Sequence, residues 1–433
     1  MDSPGKIVES LQEARRRTLA LVEDLNDEQM MGPRLEIVNP LIWEIGHVAW
    51  FQEYWILRHL EGLSPILPNG DLLYDSAEVA HDTRWQIPLL SRTGVQDYMQ
   101  AVLDRVIDRC GAAKENDGDA AYFLSLALLH EDMHDEAFTY TRQTLGYRRP
   151  SLDIEVRQSN KRFDAVEELG DALIPGGRFL LGSVPDGQFA FDNEMEVHEV
   201  QVRPFAISRT AVTNSKFAAF VNEGGYEREE FWSDAGWRWR EGSDAKHPVY
   251  WQRAGNQWRR RNFDELVPVE DDLPVLHVNW YEADAFCRWA KRRLPTEAEW
   301  EIAAGAEPTT AGGIGERKRR FPWGDDQPTP EHANLDWRAM GCIDVRALPE
   351  GDSAFGCRQM IGNVWEWTAS DFNPYPGFVP GPYKEYSAPW FGDHKVLRGG
   401  CWTTRSRLIH NAYRNFYKPD RRDVWAGFRT CAL

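Results

Sequence analysis

Two histidines, His130 and His134, lie four residues apart in a stretch that predicts one helix over residues 120–145. Side chains at positions i and i+4 project from the same face of a helix, about one turn apart. This spacing allows one helix to offer two imidazoles to one metal ion. His47, in a Trp-rich segment, is the candidate third ligand. The alternative is that a helix carries two histidines by chance, without binding a metal.

Acidic residues lie next to both histidines. Glu131 and Asp132 point off the ligand face, so we expect them to be solvated charges rather than ligands. Asp135 or Glu136 is the candidate that orients an imidazole through a hydrogen bond.

Four predicted helices position these histidines. Apolar residues recur among charged ones over residues 7–25, as on an amphipathic helix. Asn39 and Pro40 predict the N-cap and first position of a second helix, which contains His47. A third helix is predicted over residues 94–110, and the fourth carries the histidine pair. Together they indicate an antiparallel bundle, a fold that builds metal sites from side chains on facing helices.

The second half of the chain has a different texture. Short apolar runs alternate with Gly, Pro, Asp and Asn, and only residues 214–221 and 280–292 are expected to be helical. We therefore predict an α+β protein with a helical bundle over residues 1–150, a linker over 151–170 and a second domain over 171–433. A length of 433 residues supports two domains, because a single core stops growing well below that size.

Composition and charge exclude several classes of function. The net charge of −18 argues against a nucleic-acid or anionic-membrane partner, because phosphate binding needs a basic surface. No apolar run approaches the roughly 20 residues that cross a bilayer, and the first residues lack the apolar core of a secretion signal. The six cysteines are scattered without CxxC spacing, which argues against a disulfide framework or a zinc ribbon. We expect a reducing, cytoplasmic location and small-molecule partners.

The second half resembles the formylglycine-generating-enzyme type of sulfatase-modifying domain, a variant of the C-type lectin fold that is poor in regular structure. The motifs that carry this resemblance are AVTN at 211–214, RLPTEAEWE at 293–301, PWGD at 322–325, GNVWEWT at 362–368, LRGG at 397–400 and AGFR at 426–429. The copper-binding cysteine pair of that family corresponds to Thr404 and Ile409 here. The resemblance therefore implies the fold without the copper oxidase activity.

The first half resembles a DinB-like helical bundle, and the whole chain is similar to the iron-dependent sulfoxide synthases of ergothioneine biosynthesis. This resemblance implies Fe(II) held by His47, His130 and His134, with open positions for substrate and O2. The implied reaction uses O2 to join a chalcogen to C2 of the imidazole of hercynine, the trimethylated betaine of histidine. The family's active-site tyrosine, a donor of a proton or hydrogen atom, is assigned to Tyr375, and the second domain is expected to complete the substrate site.

The same resemblance implies a substrate site that departs from the best-known pattern. The Asn-aromatic pair that binds hercynine corresponds to Asn415 and Phe416, where phenylalanine replaces a tryptophan. Tyr417 replaces an acidic residue, and Met133 replaces a glutamine before the second histidine of the pair. Further candidates that bind the donor are arginines, namely Arg84, Arg92, Arg421 and Arg422.

These departures bear on the second substrate. A dicarboxylate donor such as γ-glutamylcysteine needs paired arginines, whereas a sugar presents hydroxyl groups. The sequence looks more like the selenoneine synthases, which join a selenosugar to hercynine, than like the sulfur-using enzymes, and cysteine or γ-glutamylcysteine is the alternative donor. Two rival readings are a non-catalytic ligand-binding module and a zinc-dependent thiol transferase of the DinB type.

Overall fold

The chain folds into two units. The computed structural model describes residues 4–112, 118–154 and 169–433. One unit comprises Met1–Asp153 with Asp186–Phe189, and the other Ile154–Pro185 with Ala190–Leu433. The predicted linker falls largely on residues 155–168, outside the described residues.

The first unit is helical. Its α-helices are α1 Pro4–Ala20, α2 Asp27–Met31, α3 Leu41–Gln52, α4 Gly70–Tyr74, α5 Arg92–Ala112 and α6 Gly118–Leu145. A π-helix, Glu53–Leu60, continues α3 directly, and His81–Thr83 forms a 3₁₀ turn. Every residue of α3 is buried, as expected for a helix that is apolar on all sides, and it packs against α5 and α6. The predicted helical fold of the first half is confirmed.

The start of α3 differs from the prediction by one residue. Pro40, not Asn39, occupies the N-cap, and no side chain accepts a hydrogen bond there. The backbone N–H of Glu44 donates to the carbonyl of Pro40 over 3.0 Å, which closes the first turn. Proline suits this boundary because its fixed φ is compatible with helix entry.

The second unit combines short helices with short strands. Its α-helices are α7 Asn214–Asn222, α8 Asp234–Ser243, α9 Trp280–Trp289 and α10 Glu297–Gly305. Its 3₁₀ turns are Asp192–Glu194, Glu229–Phe231, Pro349–Gly351, Lys384–Tyr386 and Ala388–Trp390. Its strands are β1 Asp171–Ile174, β2 Gly177–Leu181, β3 His198–Val202, β4 Phe205–Ser208, β5 Trp251–Ala254, β6 Gln257–Asn262, β7 Glu265–Pro268, β8 Arg292–Arg293, β9 Ala306–Pro308, β10 Ile314–Lys318, β11 Trp365–Asp371, β12 Lys395–Arg398, β13 Asn415–Tyr417, β14 Ala426–Gly427 and β15 Cys431–Ala432. The α+β class is confirmed.

In the described part of this unit, the strands form five small sheets. Two have four strands, in the orders β1-β4-β15-β8 and β13-β12-β11-β14, and the others are β5-β6-β7, β2-β3 and β10-β9. All pairs are antiparallel except β11 with β14. In the second four-stranded sheet, Leu397 of β12 pairs with Asn415 of β13, so the sheet fixes where that asparagine lies.

The motifs of the second half meet in its core. Trp300 of α10 donates to Glu366 of β11 over 2.8 Å, and Arg429 pairs with the same carboxylate at 2.6 Å. Arg398 of β12 forms a buried ion pair with Glu301 of α10. Buried charges are stable only when they are paired in this way. The motif residues therefore hold distant segments together.

Two predictions about the whole chain concern cysteines and membranes. All six cysteines are free, in agreement with the absence of a predicted disulfide framework. None of the helices in the described ranges has the length and apolar character that crossing a membrane requires.

Candidate metal centre

Three histidines of the first unit converge. His47 lies on α3, and His130 and His134 lie one turn apart on α6. Their candidate ligand nitrogens all lie within 4.8 Å of one another, and Nε2 of His134 is 3.3 Å from Nε2 of His130. The structure thus brings together the three residues predicted as metal ligands.

Neighbouring groups orient two of the rings through Nδ1. Nδ1 of His47 donates to the carbonyl of Tyr74 over 2.8 Å, and Nδ1 of His134 donates to the carboxylate of Glu44 over 2.7 Å. Both acceptors fix the tautomer, because a neutral imidazole that donates from Nδ1 keeps its lone pair on Nε2. Each ring therefore directs a metal-binding nitrogen at the site.

Aromatic side chains pack against the ring faces of two of the histidines. The ring of His130 stacks on Phe51 with a centroid distance of 3.6 Å and an interplanar angle of 6°. The ring of His47 stacks on Trp43 at 5.0 Å and 8°. Because all of α3 is buried, these partners are themselves held by packing, which limits rotation of the imidazoles.

A glycine allows the close approach of Tyr74. A Cβ at Gly46 would lie 2.2 Å from the ring of Tyr74, which is far inside van der Waals contact. The residue next to His47 must therefore be glycine for Tyr74 to bring its carbonyl to the imidazole.

Burial keeps two of the imidazoles neutral. Removal from water lowers the pKa of His47 well below its usual value, and the neighbouring His134 lowers it further. The same two causes, with His47 as an additional neighbour, lower the pKa of His130. Neutral imidazole is the form that binds a metal. Three imidazole nitrogens on one side of a site suit Fe(II) and other divalent transition metals and leave positions for further ligands.

The acidic residues beside the pair are buried. We expected Glu131 and Asp132 to point away from the ligand face as solvated charges, yet neither is solvated. Glu131 instead accepts from Arg15 over 2.9 Å, from Thr18 over 2.8 Å and from Gln52 over 2.7 Å. Burial of this carboxylate is possible because the bundle core supplies three donors.

The residue that orients an imidazole also differs from our expectation. Asp135 and Glu136 were the candidates beside the pair, but an oxygen of Asp135 lies 2.7 Å from the hydroxyl of Thr18. Glu44, on the facing helix, makes the contact to His134. The sequence does carry a signal for Glu44. It is the one acidic residue in the otherwise largely apolar stretch 41–52, three residues before His47.

Arg84 contacts other residues of the first unit. It is 8% exposed, and it donates to Asn39 over 2.7 Å and to the carbonyl of Val79 over 3.1 Å. Its guanidinium lies 3.8 Å from the ring centroid of Trp43, the residue that stacks on His47. Arg84 therefore supports the wall of the metal centre. Met133 is half-buried on α6.

The other candidate arginines also have structural partners. Arg92 donates to backbone carbonyls after α1, including that of Val22 over 3.0 Å. Arg421 pairs with Asp423 at 2.7 Å, and Arg422 pairs with the buried Glu282 at 2.8 Å.

The substrate-site candidates of the second unit lie around one buried ion pair. The hydroxyl of Tyr375 donates to Glu297 over 3.1 Å, and Arg414 pairs with the same carboxylate at 2.7 Å. The guanidinium of Arg414 also lies 4.0 Å from the ring centroid of Tyr375. Arg414 precedes Asn415 on β13, so Glu297 and Arg414 connect Tyr375 to the predicted hercynine-binding strand. Sequence analysis did not identify either residue of this pair.

The aromatic candidates on β13 are half-buried. Phe416 stacks on Phe372 at 4.0 Å and 11°, and Arg421 lies 5.2 Å from the ring centroid of Tyr417. The side-chain oxygen of Asn415 accepts from the backbone N–H of Phe416 over 2.8 Å.

The positions of the copper-binding cysteines are filled by packing residues. Thr404 accepts from the backbone N–H of Cys401 over 2.9 Å, and both Thr404 and Ile409 are buried. Neither offers a sulfur ligand.

Comparisons with known proteins agree with the division into two units. Residues 10–137 match the DinB superfamily, and residues 157–432 match the sulfatase-modifying factor enzyme 1-like domain. The chain is 37% identical to a hercynine oxygenase of Mycobacterium tuberculosis over 99% of both chains. It is 35% identical to a hercynine oxygenase of Mycolicibacterium smegmatis over 98% of this chain and 97% of that protein. It is also 34% identical to a formylglycine-generating enzyme of Streptomyces coelicolor, over 61% of this chain and 88% of that protein.

Proposed function

The chain belongs to the hercynine oxygenase family, and from this premise we propose that it is an Fe(II)-dependent enzyme that joins a chalcogen to the imidazole of hercynine. The observation that carries the proposal is the convergence of His47, His130 and His134, whose candidate ligand nitrogens all lie within 4.8 Å of one another. Bound iron would supply the activation of O2, a task that no side chain of the protein performs alone.

The proposed reaction balances without an external reductant. One C–H bond of hercynine and one S–H or Se–H bond of the donor break, and a carbon–chalcogen bond forms. This coupling releases two electrons and two protons, and oxidation of the chalcogen to its oxide releases two more electrons. Together the four electrons reduce O2, of which one atom becomes the oxide oxygen and the other leaves as water. The residues of the protein hold the three ligand nitrogens in place, and burial keeps His47 and His130 unprotonated, the form in which an imidazole binds a metal.

The donor is the finer part of the proposal, and we infer a selenosugar. The guanidinium of Arg84 donates hydrogen bonds to the side chain of Asn39 and the carbonyl of Val79. It is therefore not available as one of a pair of arginines that bind the two carboxylates of a donor. Tyr417 places a phenol where the γ-glutamylcysteine-using relatives carry an acidic residue. Both features favour a donor that is recognised through hydroxyl groups, and cysteine or γ-glutamylcysteine remains the alternative. The six free cysteines support the predicted cytoplasmic setting.

The first experiment measures O2 consumption by the iron-loaded protein with hercynine and a donor. His134→Ala should abolish O2 consumption, because the two remaining imidazoles are not enough to hold the metal. His59→Ala, which changes an exposed histidine of the same unit, should leave it unchanged. A non-catalytic module would consume no O2 in any variant, and a zinc-dependent transferase would form its product without O2.

The second experiment offers the iron-loaded enzyme hercynine with equal concentrations of a selenosugar, cysteine and γ-glutamylcysteine. Mass spectrometry of the products identifies the preferred donor. A product that derives mainly from γ-glutamylcysteine would contradict the selenosugar assignment while leaving the oxidative reaction intact.

A further inference from the structure

Glu44 is a buried carboxylate in direct contact with a metal-ligand candidate. It lies on α3, three residues before His47, is 2% exposed, and accepts from Nδ1 of His134 on the facing helix over 2.7 Å. We propose that Glu44 is the positioning residue of the metal centre: it aims Nε2 of His134 at the metal and supplies the negative charge that strengthens binding of a divalent cation. This inference rests on the proposed metal site.

His134 depends on this contact more than the other two histidines depend on theirs. Its side chain is 18% exposed, whereas His47 and His130 are almost completely buried. Its ring meets Phe138 at 6.4 Å with a tilt of 42°, a weaker contact than the stacking of His130 on Phe51 at 3.6 Å. A ring that packing holds less firmly needs a hydrogen bond to fix its rotation and tautomer.

Glu44 also places a carboxylate in direct contact with a ligand imidazole. An imidazole that binds a metal through its lone pair carries no negative charge of its own, so a nearby carboxylate is needed to offset the charge of a divalent ion. Glu131 accepts from Arg15 and Gln52 instead, and Asp135 lies beside the hydroxyl of Thr18. A carboxylate that accepts from a ligand imidazole increases the basicity of that ligand and offsets part of the charge of the metal.

A buried arginine interacts with Glu44. Arg84, whose guanidinium covers Trp43, is electrostatically coupled to Glu44: burial lowers the pKa of Arg84 to about 10, and Glu44 acts in the opposite direction. A nearby cation reduces the cost of burying the carboxylate in the metal-free protein. Arg84 thereby also contributes to the site, through Glu44.

The test measures metal affinity in the full-length protein, with Fe(II) alone under anaerobic conditions and a competing chelator. Glu44→Ala should weaken binding about 10- to 100-fold, as for other groups that orient metal-bound histidines. Glu44→Gln should weaken it less, because the amide oxygen can still accept the hydrogen bond but carries no charge.

Glu53→Gln is the matched control. Glu53 is an equally buried carboxylate of the same unit, and it accepts from Tyr98 and from the backbone N–H of Ile66. Its loss should lower the melting temperature without changing metal affinity. Absorption spectra of the Co(II)-loaded proteins provide a second readout, since a change in ligand basicity shifts the d–d bands only in the Glu44 variants.

Equal affinity and equal Co(II) spectra in wild-type protein and both Glu44 variants would overturn the inference. Neither measurement contains hercynine or O2. A protein whose metal affinity depends on Glu44 but which consumes no O2 would therefore contradict the proposed function and leave the role of Glu44 standing.

Discussion

At the scale of the residue, Tyr375 combines two properties that affect how it can act. Burial raises the pKa of its phenol, although Arg414 acts in the opposite direction, so the hydroxyl keeps its proton at physiological pH. That hydroxyl also donates to Glu297. A proton or hydrogen atom is therefore present for transfer, but the bond to Glu297 must break for Tyr375 to donate elsewhere.

Tyr375→Phe tests this prediction. If Tyr375 donates to an oxygen species, the variant should change the rate or the ratio of products while Fe(II) affinity stays the same. Loss of one buried hydrogen bond should also cost about 0.5–1.5 kcal/mol of unfolding free energy. Product analysis by mass spectrometry and a chelator competition give the two readouts.

Tyr226→Phe is the control for Tyr375→Phe. Tyr226 is buried and donates to Glu282, which pairs with Arg422, so it repeats the Tyr-Glu-Arg arrangement elsewhere in the second unit. It should lose similar stability and keep normal products. If both variants change stability alone, Tyr375 is a structural residue and the catalytic assignment fails.

At the scale of the element, the metal centre is a contact between α3 and α6. The pairing of His130 with His134 was predictable because helical spacing is local. Convergence of His47 on the pair followed from the bundle and the family resemblance, whereas the contact of Glu44 with His134 was not foreseen. That contact spans ninety positions between two helices. Proximity in sequence favoured Asp135 and Glu136 instead, and this interpretation was wrong for His134.

In the second unit, too, local patterns were predicted from the sequence more readily than contacts between distant residues. The helices α7 and α9 were predicted from their apolar patterns, but α8 and α10 were not. The start of α10 carries a capping box in which Thr296 accepts from the backbone N–H of Glu299 over 3.2 Å, a signal that was present in the sequence. The ion pairs of Glu366 with Arg429 and of Glu297 with Arg414 join residues far apart in the chain, so only the folded structure reveals them.

The contact of α3 with α4 gives a prediction of its own. Gly46→Ala should weaken Fe(II) binding, because the added methyl group would lie 2.2 Å from the ring of Tyr74 and displace the carbonyl that orients His47. Overpacking of this kind costs about 1–3 kcal/mol. Gly242→Ala is the control, since no described atom lies within 4 Å of the corresponding Cβ on α8. That variant should be neutral or slightly more stable, and unchanged metal affinity in Gly46→Ala would contradict the role given to Tyr74.

At the scale of the whole molecule, charge is divided between surface and core. The formal net charge of −18 is shared between surface and core, because buried acidic residues outnumber buried arginines even though pairs such as Arg429 with Glu366 balance locally. Acidification reduces the surface repulsion, but it also acts on histidines that the fold keeps neutral. The response of stability to pH is the sum of these opposing effects, and a buried histidine outside the metal centre allows them to be separated.

His277 provides that separation. Burial lowers its pKa to about 3, with Arg260 and Arg261 contributing, from a usual value of 6.5. Below pH 6.5 the unfolded chain binds a proton that the folded protein does not. As the pH is lowered further, the free energy of unfolding therefore decreases until the pH reaches the pKa of the folded state. This residue alone should lower the free energy of unfolding by about 2 kcal/mol between pH 7 and pH 5.

The variant His277→Asn tests this prediction. Asparagine tolerates the positive φ of 59° at this position, and the variant should lose that part of the pH dependence in urea unfolding of the metal-free protein. The same slope in wild-type protein and in His277→Asn would show that His277 does not take up a proton on unfolding.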